Sequence, residues 1–140
     1  MNERIVNMQL HGEEYPILFV KDKYTYNDNL AIQVMCKGIE EYLKDEWVLL
    51  CSLTVNLPEY NLDDSTAFLD VNNCSPEIIQ WLNEHKKVKM LGVAQSGYVQ
   101  YPLVIFEPAF LNNMAFTMEE YEQFLDKERE KLKEEDDFER

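Results

Sequence analysis

Cys74 and His85 are the first pair to test for chemistry, because a thiol at a helix N-terminus is acidified and a histidine can take its proton. Ser75-Pro76-Glu77 opens a helix directly after Cys74. The same helix carries His85 about ten residues along, roughly 15 Å away at 1.5 Å per residue. The pair therefore makes a poor nucleophile set, and His11 is the other histidine. Structural zinc sites use close cysteine pairs, whereas Cys36, Cys51 and Cys74 stand at long, unequal gaps. Glu59, Asp63, Asp64 and Asp70 have the oxygen chemistry for Mg²⁺ or Ca²⁺. They lack the spacing that folds a loop around calcium, and no Lys or Arg stands nearby to hold a phosphate. The segment reads as a solvated acidic loop after Pro58.

The glycines at 12, 38, 92 and 97 are isolated, so no phosphate cradle is present, and Ser96-Gly97 lacks the preceding glycine of a nucleophile elbow. No catalytic residue, metal ligand or cofactor is assigned, and the chain is not expected to be an enzyme.

The elements that would position these residues begin with alternation. Val6, Met8 and Leu10 alternate with Asn7 and Gln9, a half-buried strand. His11-Gly12-Glu13-Glu14 turns the chain into a return strand over Tyr15 to Val20, and Leu30 to Met35 follows as a third. Gly38 to Asp45 fits either a helix or an elaborated hairpin loop. Trp47 to Leu57 is the longest strand-like run, ended by Pro58. Thr66 to Val71 is a further strand, closed by Asn72-Asn73. Ser75 caps a helix through Lys86, with Pro76 first and Ile78, Ile79 and Leu82 inward. Gly92 and Gly97 flank a loop before a last strand, Val99 to Phe106, whose Pro102 suggests an edge. Thr117-Met118-Glu119-Glu120 is a capping box. It opens a helix through Lys133 whose stripe is Met118, Tyr121, Phe124, Leu125 and Leu132.

Strands followed late by helices predict an α+β fold: one antiparallel sheet of five or six strands, two helices on one face, and a partly projecting C-terminal helix. Residues 1–133 form a single domain and 134–140 an acidic tail. At 140 residues with 46% hydrophobic content, the chain has enough material for a core. No apolar run reaches the ~20 residues of a membrane span, and no secretory signal opens the chain. Three cysteines, an odd number, read as buried thiols in a reducing cytoplasm.

Net charge is -14, from 27 acidic and 13 basic residues. That excludes direct nucleic-acid binding and attraction to an anionic membrane. Between Lys37 and Lys86 the sole cation is Lys44, against ten acids, and no Lys or Arg occurs from Met90 to Asp126. A compact domain of this length is roughly 35–40 Å across, and duplex DNA of that length carries on the order of 20 phosphate charges. The chain comes within about a factor of two of that charge, so a basic protein is the expected partner.

Leu53-Thr54-Val55-Asn56-Leu57-Pro58, Phe68, Asp70, Asn72-Asn73, Gln95-Ser96-Gly97-Tyr98, Pro102-Leu103 and Phe106 carry a likeness over roughly residues 28 to 107. The chain resembles a family of short proteins of unknown function carried on plasmids, conjugative elements and phages of gut Firmicutes. That resemblance implies a cytoplasmic accessory protein of a mobile element, among which anti-CRISPR and anti-restriction inhibitors of host nucleases occur. The chain departs from the family pattern at Gly38–Asp45, an apparent insertion, and at the charged C-terminal helix.

Together these readings predict a small acidic protein that inhibits a host nucleic-acid-handling enzyme, such as a CRISPR effector nuclease, by mimicking nucleic acid in its basic groove. The alternatives are a non-catalytic scaffold of conjugation or plasmid replication, and a small cysteine- or metal-dependent enzyme. The expected contacts are Glu40, Glu41, Asp45 and Glu46 with Tyr42, and Asp63 and Asp64 with Tyr60. Both tyrosines have the rival role of covering the sheet edge.

Overall fold

The computed structural model describes residues 3–41 and 44–139, the side chains of 135–139 excepted. Its elements are β1 (Val6–Leu10), β2 (Glu13–Lys23), β3 (Leu30–Lys37), β4 (Trp47–Ser52), β5 (Thr54–Val55), β6 (Thr66–Leu69) and α1 (Pro76–Glu84). Then come β7 (Val88–Ser96), β8 (Val99–Phe106), a π-helical turn (Phe110–Met114), β9 (Phe116–Thr117) and α2 (Met118–Glu139).

The α+β class with antiparallel pairing holds, and the strands divide between two sheets. β1, β2, β3 and β4 meander in that order, while β5, β6, β8 and β7 form the second sheet. The switch occurs inside the run that reads in sequence as one long strand. Leu53, fully buried, donates its N–H to the Ile32 carbonyl at 2.8 Å and accepts from Asp70 N–H at 2.9 Å, so it bonds to both sheets. β9 adds one short parallel pairing, Val20 opposite Phe116. β1 pairs with β2 from Glu13 to Ile17, so first and last strands share one edge of β2.

The helices lie on opposite faces of the first sheet, not on one. Ile17 and Phe19 enter a large core with Ile78 and Leu82 of α1 and with Leu69, Val104 and Phe106 of the second sheet. Leu18 and Val20 enter another with Met35, Trp47, Phe116 and Tyr121, where Phe124 and Leu125 of α2 pack. Four consecutive buried residues in β2 give two apolar faces, and each must be covered.

α1 is shorter than its sequence signal. Ser75 makes no capping bond; its hydroxyl turns to the Glu77 carboxylate. Lys86 adopts φ 56°, which ends the helix, so Lys86, Lys87 and Lys89 lie just beyond its last turn. The capping box of α2 forms as read: Thr117 Oγ1 accepts Glu120 N–H at 3.1 Å, and Glu120 Oε1 accepts Thr117 N–H at 2.9 Å. Met118 nevertheless points to solvent. Past Leu125 only Glu128 and Leu132 are half-buried among the residues with described side chains, which fits a projecting helix. α2 continues through Glu139, beyond the residue 134 boundary expected for the tail.

The loop expected between Gly92 and Gly97 is the second half of strand β7, which begins at Val88. Gly97 and Tyr98 form its two-residue turn into β8, with Gly97 at φ 62°. β8 is central, between β6 and β7. Its Pro102 is tolerated because the β6 register stops at Leu103.

Candidate functional site

The loop between β3 and β4 carries Glu40, Glu41, Asp45 and Glu46, all exposed and without a side-chain hydrogen bond or ion pair among the described residues. Gly38 N–H bonds the Glu46 carbonyl at 3.3 Å and pinches the loop at its base. Tyr42 lies outside the described residues.

Asp63 and Asp64 lie in the loop between β5 and β6, at the opposite end of β3. Eight residues of β3 at ~3.4 Å each place the two acidic groups on the order of 25 Å apart. They are two separate clusters, one at each end of a strand.

The second cluster is bound into the fold. Asp63 Oδ1 accepts from Ser65 N–H at 2.9 Å and from the Thr66 hydroxyl at 3.1 Å, an Asx turn that starts β6. Asp64 is 84% exposed and 3.7 Å from Lys23 Nζ, an exposed pair of small energetic weight. Tyr60 sets its ring edge-on to Phe68 with centroids 5.1 Å apart, so it covers the outer face of the second sheet while keeping an exposed side.

A polar hub holds this loop. Buried Asn29 donates to Asn56 Oδ1 at 3.2 Å and the Tyr60 carbonyl at 2.9 Å, and accepts Leu62 N–H at 3.1 Å. Asn27 joins at Asn56 Oδ1, 3.1 Å. Thr54, also buried, bonds Tyr24 Oη at 2.9 Å and accepts Ile32 N–H at 3.1 Å. The signature residues Thr54 and Asn56 thus serve the scaffold. So does buried Asp70, whose carboxylate accepts from Asn73 N–H at 3.2 Å and from Asn73 Nδ2 at 3.1 Å.

Cys74 faces Cys51, not histidine; the sulfurs are 3.2 Å apart. His85 stacks on Trp81, ring centroids 4.3 Å apart, with Nδ1 2.9 Å from the Trp81 carbonyl. Among the described residues no three His, Cys, Asp or Glu side chains gather as a metal site.

Two features escaped the sequence reading. A groove of about 660 Å³ opens beside the second acidic cluster, lined by Lys21, Lys23, Asp64, Ser65, Asn112 and Glu119 among others. Lys21 Nζ is committed to the Leu111 carbonyl at 2.6 Å, so Lys23 is the freer cation there. The other is the β7–β8 hairpin: residues 90–106 contain no charged side chain, and Met90, Leu91 and Val93 are 60%, 52% and 56% exposed. Its signal was in the sequence as a stretch lacking acids as well as cations.

Among the described residues no helix is long and apolar enough to cross a membrane. No curated protein and no solved structure matches the chain. A family model does, over residues 18–127, from inside β2 to the third turn of α2. With its signature residues spent on turns and sheet junctions, the chain belongs to the family of the domain of unknown function DUF4313.

Proposed function

We propose that this chain is a non-catalytic binding protein of the cytoplasm, an accessory of a mobile element. Its exposed acids enter the basic groove of a host nucleic-acid-handling enzyme, most concretely a CRISPR effector nuclease. The observation that carries the reading is the pair of acidic clusters at the two ends of β3 in a chain of net charge -14. Over ~25 Å, duplex DNA presents on the order of 15 phosphate charges. A groove lined to meet that density attracts these clusters. Nucleic acid itself and anionic membranes are not partners on this reading.

The test is titration of the protein into cleavage reactions of a nuclease captured on it from bacterial lysate. Inhibition that fades as salt rises and competes with the nucleic-acid substrate is expected. Triple reversal of Glu40, Glu41 and Asp64 to lysine should weaken it at least tenfold. Undiminished cleavage at saturating protein sinks the reading.

One observation favours the scaffold alternative: the β7–β8 hairpin, uncharged from Met90 to Phe106, an apolar surface suited to assembly. Capture of relaxase or conjugation coupling machinery that survives the triple reversal and is lost with Val93→Lys would install that reading in its place.

A further inference from the structure

Cys51 and Cys74 stand 23 residues apart in the chain, yet their sulfurs are separated by 3.2 Å. Cys51 lies near the end of β4 and is half-exposed; Cys74 is buried in the turn immediately before α1. All three cysteines are free thiols. We propose that Cys51 and Cys74 form a redox site that closes to a disulfide on reaction with a low-molecular-weight disulfide such as oxidised glutathione.

The roles divide by environment. The bond between the two sulfurs lowers the Cys51 pKa, while the same bond and burial raise that of Cys74. Cys51 is therefore both the reachable sulfur and the better thiolate. Its thiolate attacks the small disulfide, forms a mixed disulfide and expels one small thiolate. Cys74 gives its proton to solvent and attacks the Cys51 sulfur, expelling the second small thiolate. The dithiol is oxidised, the small disulfide is reduced to two thiols, and the atoms balance. Proximity offsets the poor acidity of the buried resolving thiol. Cys36 is the internal control: it lies in the core, its pKa pushed up to about 11 by burial.

Closure would tie the end of β4 to the start of α1 and ring the whole segment that holds Asn56, Tyr60, Asp63 and Asp64. A cross-link there restricts the unfolded chain, so the oxidised form should resist denaturant better.

The experiment equilibrates the intact protein with glutathione buffers of rising oxidised fraction, quenches by alkylation and maps the thiols by mass spectrometry. Cys51 and Cys74 should leave the alkylated pool together as one cross-linked peptide, with Cys36 unmodified. The urea midpoint should rise on oxidation and return with dithiothreitol, and Cys51→Ser should abolish both effects. A stable glutathione adduct on Cys51 with Cys74 still free, or both thiols still alkylated in fully oxidised buffer, would overturn the proposal. Both readings come from the unmutated protein, so they stand even if Cys51→Ser folds poorly.

Discussion

The loops at the two ends of β3 and the β7–β8 hairpin are opposite solutions to exposure. The loops present carboxylates, whose like-charge repulsion is relieved by water and by distance between the clusters. The hairpin presents Met90, Leu91 and Val93 with no charge until Glu107. Edge strands are commonly guarded by charge, proline or shortness. β7 has nine residues and one lysine, and its guard is a bulge between Met90 and Gly92 that breaks the register with β8. The acids thus concentrate where backbone geometry is local, while the apolar edge relies on shape. Residues 90–106 contribute no charge to the repulsion between copies of the chain.

The strongest way to break the contrast is to cut what joins the two regions. Leu53→Ala removes a fully buried side chain at the crossing between sheets and should cost about 2–5 kcal/mol. Urea unfolding would show it, with hydrogen-exchange protection falling in both sheets.

Asn29→Ala should separate the regions. Loss of its side-chain bonds to Asn56, Tyr60 and Leu62 should cost about 1–3 kcal/mol. Exchange should quicken over residues 56–65 and stay unchanged over 90–106.

A smaller effect is pH-dependent. Arg4 bonds the Glu120 carboxylate and, with the Thr117 N–H, lowers its pKa from 4.5 to about 2. The folded pKa lies below the unfolded one. The stability this contributes is thus present above pH ~4.5 and is lost as pH falls toward ~2. The pair is partly exposed, so Glu120→Gln should cost at most ~1 kcal/mol at pH 7. It should flatten that window in acid titration followed by circular dichroism.

Val93→Lys and Asp64→Lys should each shift stability by less than ~0.5 kcal/mol, as exposed substitutions do. They sharpen the contrast through different readouts. The first should lower light scattering at high protein concentration, the second should weaken partner binding. Asp63→Lys, which breaks the Asx turn, should instead lower the melting temperature, so it is no clean probe of binding.

Local signals were the legible ones. The Thr117 capping box, the Asn72-Asn73 turn and the first three strands follow from neighbours within four residues. The run Trp47 to Leu57 hid the change of sheet because an apolar sequence does not report which partner a strand takes. β7 was obscured by its bulge and by lysines that also suit a helix end. The four apolar residues Ile17 to Val20 did announce two covered faces, which is incompatible with both helices on one side. Asn29 makes contacts that reach Asn56 and Leu62, which no local pattern encodes. Acid exposure was plain from composition, but placement at opposite ends of β3 needed the strand directions.

The shared edge of β2 bears on how the chain folds as it is made. β1, which fills the first half of that edge, precedes β2 in the chain. The second half waits for Phe116 and Thr117, nearly a hundred residues later. Arg4 waits as well: its guanidinium lies 3.9 Å above the Phe116 ring and bonds the Met114 and Ala115 carbonyls. Until its C-terminal quarter is made, a nascent chain lacks the partners of that half-edge and of Arg4. That delay makes the last segment the lock on the first.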